Sequence, residues 1–160
     1  LPGAALRYAG IPMSAHELTS RSDIDALLAG IERVAVLGIK TEAQAEQPAY
    51  YVPAALREDG LQIVPVPVYY PDVTRILGQP VYRRLADVPG RIDVVCVFRR
   101  PRDLAAHLDD MLAAQPRAVW LQSGIRDDAF AAALTAAGID VVQDRCLMVE
   151  YARFARARSG

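Results

Sequence analysis

Lys40, Arg99 and Arg100 are placed for anion chemistry, because each follows directly on an apolar run. The first stands in GIKTEAQAEQP (38–48) and the other two in FRRP (98–101). Cations beside backbone amides and a helix start can neutralise and cradle a phosphate. The first stretch offers amides around Gly38, Ile39, Lys40 and Thr41, and a helix opening at Pro48 and Tyr50. It also carries Glu42 and Glu46, carboxylates that must point away from any bound anion. A third stretch, QDRC (143–146), sets the Cys146 thiol after an apolar run and before a helical one, where a helix dipole favours a thiolate.

Other chemistries lack their residues. No G-x-G-x-x-G opens a helix, and the second apolar run leads into VPVPVYYP with no acid before Asp72, so both halves of the dinucleotide fingerprint are missing. A Walker A sequence is absent too. Two cysteines, Cys96 and Cys146, and two histidines, His16 and His107, stand in no metal-ligand spacing. No residue pair reads as a nucleophile with its base. A chain of 160 residues suits one domain with a real core, and a net charge of −1 gives no general attraction to nucleic acid. No apolar stretch approaches the roughly 18 residues of a membrane span, and no signal-peptide pattern opens the sequence. The expectation is a cytoplasmic protein without a metal.

The elements that must position these residues follow from hydrophobic patterning. Five runs rich in Val, Ile and Leu read as strands: 33–38, 61–66, 92–98, 118–122 and 139–143. Their near-continuous apolar character fits strands covered on both faces. Helical stretches lie between them at 49–59, 102–114 and 127–138, with Leu104, Leu108 and Met111 along one side of the second. Pro53 falls within the first turn or so of its helix. Gly60 and Gly138 stand where helices end, and Asp127 where one is capped. A short helix at 22–31 is expected ahead of the first strand, capped by Ser22 with Asp25 in the capping-box position. The repetition predicts an α/β, Rossmann-like, doubly wound, mainly parallel five-stranded sheet with helices on both faces.

The connection 67–91 holds too many breakers for one crossover helix; a helical turn near 72–77 and a small edge strand at 80–83 are expected there. Its irregularity places the third strand beside the first, giving the order 2-1-3-4-5. The ligand crevice then falls between the loops after Gly38 and Phe98. Gln122, Ser123 and Gly124 sit at the same carboxyl edge, Trp120 reads as core, and Asp144 and Arg145 read as a local ion pair. Residues 1–21 are read as an arm, 22–152 as the domain and 153–160 as a basic tail.

The first loop, FRRP, AVWLQSGIRDD (118–128) and VVQDRCLMVEY (141–151), in that order and spacing, resemble the small stand-alone CoA-binding proteins, which are similar to the CoA-binding part of the succinyl-CoA synthetase alpha subunit. The resemblance spans about residues 24–151. It implies that Gly38, Ile39, Lys40 and Thr41 surround the CoA diphosphate, and that Pro65, Val66, Pro67 and Tyr69 make the nucleotide-side contact. Phe98, Arg99 and Arg100 would form the turn that closes over the ligand. Where the family reads PVNP followed by a basic residue, this chain reads PVPVYY, which leaves Tyr69 or Tyr70 to stack on adenine. Ligase activity does not carry over, because the phosphorylated histidine and its domain have no counterpart. The reading is a domain that binds coenzyme A or an acyl-CoA without turning it over, with a protein partner or homodimer open. Two alternatives stand beside it: an interaction or regulatory module that has lost the ligand, and a thiol-dependent redox or acyl-transfer protein using Cys146.

Overall fold

The five apolar runs form one parallel sheet: β1 Arg33–Leu37, β2 Gln62–Val66, β3 Val94–Val97, β4 Ala118–Leu121 and β5 Asp140–Val142. This is seen in a computed structural model, which describes residues 15–159 and the backbone of Leu6–Tyr8 and Ile11–Pro12. Residues 1–5, 9–10 and 13–14 of the expected arm lie outside the described residues, as does Gly160 of the tail. The lateral order is β2-β1-β3-β4-β5 with every neighbouring pair parallel, the order 2-1-3-4-5 expected from the long third connection.

Alternate residues of each strand feed two cores, one on each face. Val34, Val36, Val94, Cys96 and Trp120 face one cluster, while Ala35, Leu37, Val95, Val97 and Leu121 face the other. Helices α1 (Arg21–Ala29), α2 (Pro48–Glu58) and α5 (Leu147–Ser159) cover the first face. Helices α3 (Leu108–Ala114) and α4 (Asp128–Ala136) cover the second. Each Val or Leu side chain so buried contributes about 1.5–3 kcal/mol, which is why both faces of these strands are apolar. The free edge of β5 is partly covered: Val141 donates to the His16 carbonyl (3.2 Å) and accepts from Leu18 N–H (2.7 Å).

Local expectations hold in part. Asp127 caps α4 by accepting from Phe130 N–H (3.0 Å), and Gly60 and Gly138 take positive φ where their helices end. The cap of α1 is Ser20 rather than Ser22, accepting from Asp23 N–H, and Asp25 instead pairs with Arg153 of α5 at 2.8 Å. The stretch 102–114 is not one α-helix. Pro101–His107 winds as a 3-10 helix before α3 begins, and its longer rise per residue changes which side chains meet. At 72–77 a hairpin replaces the expected turn of helix: Arg75–Ile76 pairs with Gln79–Pro80, apart from the main sheet. Leu77 and Gly78 both have φ above zero (51° and 73°), the signature of the turn that matches strand twist, and a leucine there hid it from sequence reading.

The two loops that matter meet at Gly38. β1 and β3 are in register to Leu37 and Val97, and Phe98 N–H donates to the Leu37 carbonyl (2.9 Å). Gly38 has φ +86°, and a Cβ there would collide with the Phe98 carbonyl oxygen. Gly60 has φ +100° but open space around it. Gly38→Ala should therefore cost about 2–5 kcal/mol, the sum of about 1–2 from backbone strain and about 1–3 from overpacking. Gly60→Ala should cost about 1–2 kcal/mol from backbone strain alone. Urea unfolding of both variants checks this, and equal losses would mean that the close approach adds nothing.

Candidate functional site

At the carboxyl edge of the sheet, between the loops after β1 and β3, lies a crevice of about 460 Å³. Gly38 and Lys40 form one wall with Pro48 and Ala49 of α2. Phe98, Arg99, Arg100 and Pro101 form the opposite wall, and Tyr69 and Tyr70 stand at the end of β2. The loop after β4 closes the far side with Gln122, Ser123, Gly124 and Ile125. The volume falls in the range of small-molecule sites.

The start of α2 is open. Its N-cap, Gln47, makes no side-chain cap bond, and Pro48 occupies the first helical position. Tyr50 and Tyr51 N–H both donate to the Gln47 carbonyl (2.9 Å each), while the Ala49 N–H has no acceptor among the described residues. An anion in the crevice would meet that N–H and the positive end of the helix dipole. The Lys40 ammonium has no ion pair or hydrogen bond among the described residues.

Arg99 is held from several sides. Its Nε donates to His107 Nε2 (3.2 Å), its Nη1 to the Tyr69 hydroxyl (3.4 Å), and Asp103 lies 3.9 Å away. The guanidinium also sits beside the Tyr69 ring, 5.7 Å from its centroid. The hydrogen bond from Arg99, reinforced by its charge, holds the Tyr69 phenol below its usual range. Burial, and then the charge of Arg99, pushes the His107 imidazole below its ordinary 6.5, so the ring stays neutral and its Nε2 can accept. Arg100 reaches Asp103 at 2.8 Å but remains 62% exposed.

The carboxylates of the first loop do point away. Glu42 accepts from Leu77 N–H (2.8 Å) in the hairpin, and Glu46 is exposed outside the crevice lining. Among the described residues no cluster of His, Cys, Asp and Glu could hold a metal ion.

Of the site residues expected from sequence, the crevice gathers Gly38, Lys40, Pro48, Tyr69, Phe98, Arg99, Arg100 and Gln122. It does not gather the rest. Ile39 is buried in the core. Thr41 caps a 3-10 turn, with Gln44 Oε1 accepting from its N–H (3.1 Å) and its hydroxyl (2.7 Å). The T-x-x-Q spacing that makes this capping box was visible in the sequence. The Lys40 N–H donates to the Ala49 carbonyl (3.1 Å), so the amides of 40 and 41 serve the loop itself. Tyr50 packs against the core, where burial and then Glu42 raise its phenol pKa. Pro65, Val66 and Pro67 are buried.

Cys146 sits just ahead of α5, half-buried against the core and outside the crevice lining. Beside it, Gln122 Oε1 accepts from Leu147 N–H (2.8 Å) and from the Cys96 thiol (3.4 Å), tying β4 to the start of α5. Asp144 and Arg145 do not pair with each other. Asp144 accepts from Gly124 N–H (2.6 Å), and Arg145 faces Glu150 at 3.9 Å. Trp120 is core, as expected, its indole N–H donating to the Arg145 carbonyl (2.8 Å). His107 is the participant that sequence reading missed. It lies eight residues beyond Arg99 and returns to it only because the 3-10 winding carries it there.

A family model described as a CoA binding domain matches residues 32–152. The Bacillus subtilis (strain 168) protein YneT is 28% identical over 133 residues, covering 83% of this chain and 95% of its own. The solved structure of cell-free ID.343 from Thermus thermophilus is 40% identical with a TM-score of 0.77, covering 85% of this chain and 99% of that one. A Pyrococcus horikoshii OT3 protein of solved structure is 25% identical with a TM-score of 0.76, covering 86% and 93% respectively.

His107 gives the site a pH signature. The folded protein depresses this imidazole, so on acidification the unfolded chain takes up the proton first, near 6.5. The contribution is therefore complete above 6.5 and is lost as pH falls through the folded value. Urea midpoints should hold from pH 8 to 7 and then decline below 6.5, with His107→Gln showing a shallower decline. Parallel curves for the two proteins would remove His107 from this role.

Proposed function

Since the chain belongs to the CoA binding domain family, we propose that its crevice binds coenzyme A or an acyl-CoA and does not turn it over. The observation that carries this reading is the convergence of Lys40, Arg99, Arg100 and an uncapped helix start on one crevice with an aromatic rim. The diphosphate would lie over Gly38 against the Ala49 N–H, with Lys40 on one side and the arginines on the other. Charge-assisted bonds of this kind are roughly twice as strong as neutral ones, and bidentate guanidinium contacts add geometry. Tyr69, 57% exposed, would stack on the base, and the pantetheine arm would run toward Gln122 and Ile125.

The proposal is confined to binding because the described lining presents no nucleophile paired with a base from which a reaction could be argued. Cys146 lies outside that lining, so a thiol-dependent reading draws no support from it. Nor does the acidic loop favour a module that has lost its ligand, because Glu42 is engaged with Leu77 and Glu46 is turned outward.

Calorimetric titration with CoA, acetyl-CoA, NADH and ATP tests the reading. CoA and acetyl-CoA should bind, and neither should be consumed. The Arg99→Ala/Arg100→Ala double variant should lose about 100-fold in affinity, from two charge-assisted contacts. Lys40→Ala should lose about tenfold, with a weaker dependence on salt. NADH binding in preference to CoA, or a double variant with unchanged affinity, would overturn it.

A further inference from the structure

Arg83 lies outside the crevice, yet its guanidinium is the anchor of the segment that carries Tyr69 and Tyr70. The Tyr82 N–H donates to the Pro65 carbonyl of β2 (3.0 Å) and Val81 N–H to Thr74 (3.0 Å), so the chain delivers Arg83 beneath the loop leaving β2. There, its Nη1 donates to the Tyr69 carbonyl (3.1 Å). Its Nη2 reaches the carbonyls of Tyr70 (2.9 Å), Pro71 (3.3 Å) and Val73 (2.7 Å). Four carbonyls converge on one side because Tyr70 takes φ +65°, a left-handed turn that a tyrosine adopts only when its surroundings hold it. Arg83 is exposed, and no carboxylate pairs with it among the described residues, so carbonyl dipoles and solvent face its charge.

We propose that Arg83 is the positioning residue for the aromatic wall of the ligand site, fixing Tyr69 where it can stack on a planar base while Arg99 faces the anion. This deepens the CoA reading and rests on it. Tyr69 is attached to the site by one side-chain hydrogen bond and the ring contact with Arg99, and to Tyr70 by an edge-to-face contact at 6.3 Å. Those contacts are weak singly; the fixed backbone beneath them makes them persistent. Nη2 has two N–H groups for three of these carbonyls, so one is shared. The planar fork spreads its donors over the four acceptors in a geometry that a single ammonium nitrogen does not reproduce. Arg83 therefore acts through the loop and never touches the ligand.

The test compares two probes, CoA and 4′-phosphopantetheine, which lacks the base together with the ribose, its 3′-phosphate and one phosphate of the diphosphate. Arg83→Lys, which keeps the charge, separates a stacking loss from an electrostatic one. Against the unaltered protein, Arg83→Lys and Arg83→Met should weaken CoA binding about tenfold, the share that stacking supplies, and leave 4′-phosphopantetheine unchanged. In the ligand-free protein the Tyr69 phenol should titrate higher in both variants, as its contact with Arg99 loosens. Spectrophotometric titration with Tyr69→Phe as the reference isolates that group, and circular dichroism confirms the fold. Equal loss for both probes, or an unchanged ratio, would overturn the role of Arg83. Failure of the unaltered protein to bind CoA would instead overturn the CoA reading and this inference with it.

Discussion

Everything at the ligand edge depends on how closely two backbones approach at Gly38. β1 and β3 are neighbours, and the loops that leave them diverge to opposite faces of the sheet, toward α2 on one and α3 on the other. A crevice opens where they part. The contact between Gly38 and the Phe98 carbonyl holds the base of that opening shut, and a side chain at 38 would wedge it apart. The same approach lets the Arg99 side chain cross above Gly38: its Cδ would lie 3.4 Å from a Cβ added there. One missing methyl group thus sets both the floor of the crevice and the path of the Arg99 side chain across it.

The charges around that floor are arranged so that the acids serve the scaffold and the cations face the opening. Glu42 satisfies the Leu77 N–H of the hairpin, an amide left without a ladder partner by the tight turn. Asp110 accepts from the Leu85 and Ala86 N–H groups (2.7 and 2.9 Å), fixing the segment after Arg83 and Arg84 to α3. Asp103 is the acid nearest the arginines, and bonding to Arg100 lowers its pKa. Both guanidinium groups share that single carboxylate, so positive charge is left over on the crevice wall.

Much of this was legible in the residues. Strands covered on both faces leave near-continuous apolar runs, and the breaker-rich stretch 67–91 marked the place where strand order reverses. The cations after Leu37 and Val97 pointed to the crevice because strand ends are where parallel sheets expose loops. Side-chain direction was less legible. Ile39 follows Gly38 by one residue but turns into the core, since a left-handed glycine reorients the chain after it. His107 and Arg83 carried no signal, because the contacts of each cross the fold through a 3-10 winding or a left-handed tyrosine. Non-local placement of this kind is not written in local propensity.

The cations are unlike in what they can do for a ligand. Arg99, its side chain 15% exposed, is ordered before any ligand arrives, by His107, Tyr69 and Asp103. The conformational entropy of fixing it is already met in folding, so under the proposed function its contribution to binding would be geometric and would depend on a neutral His107. Lys40, without a partner among the described residues, keeps its rotamer freedom. It must lose roughly 1.5–2 kcal/mol of that freedom if it is held in place, which offsets part of its Coulombic gain. Arg100 stands between them, tethered to Asp103 yet largely in water. A ligand of high charge but loose shape would draw mainly on Lys40 and Arg100. A ligand that also presents a ring to Tyr69 and a phosphate to Arg99 engages the part of the site that is already rigid. On the proposed reading, selectivity in this crevice would therefore come from the ordered pair, Arg99 and Tyr69, more than from its total charge.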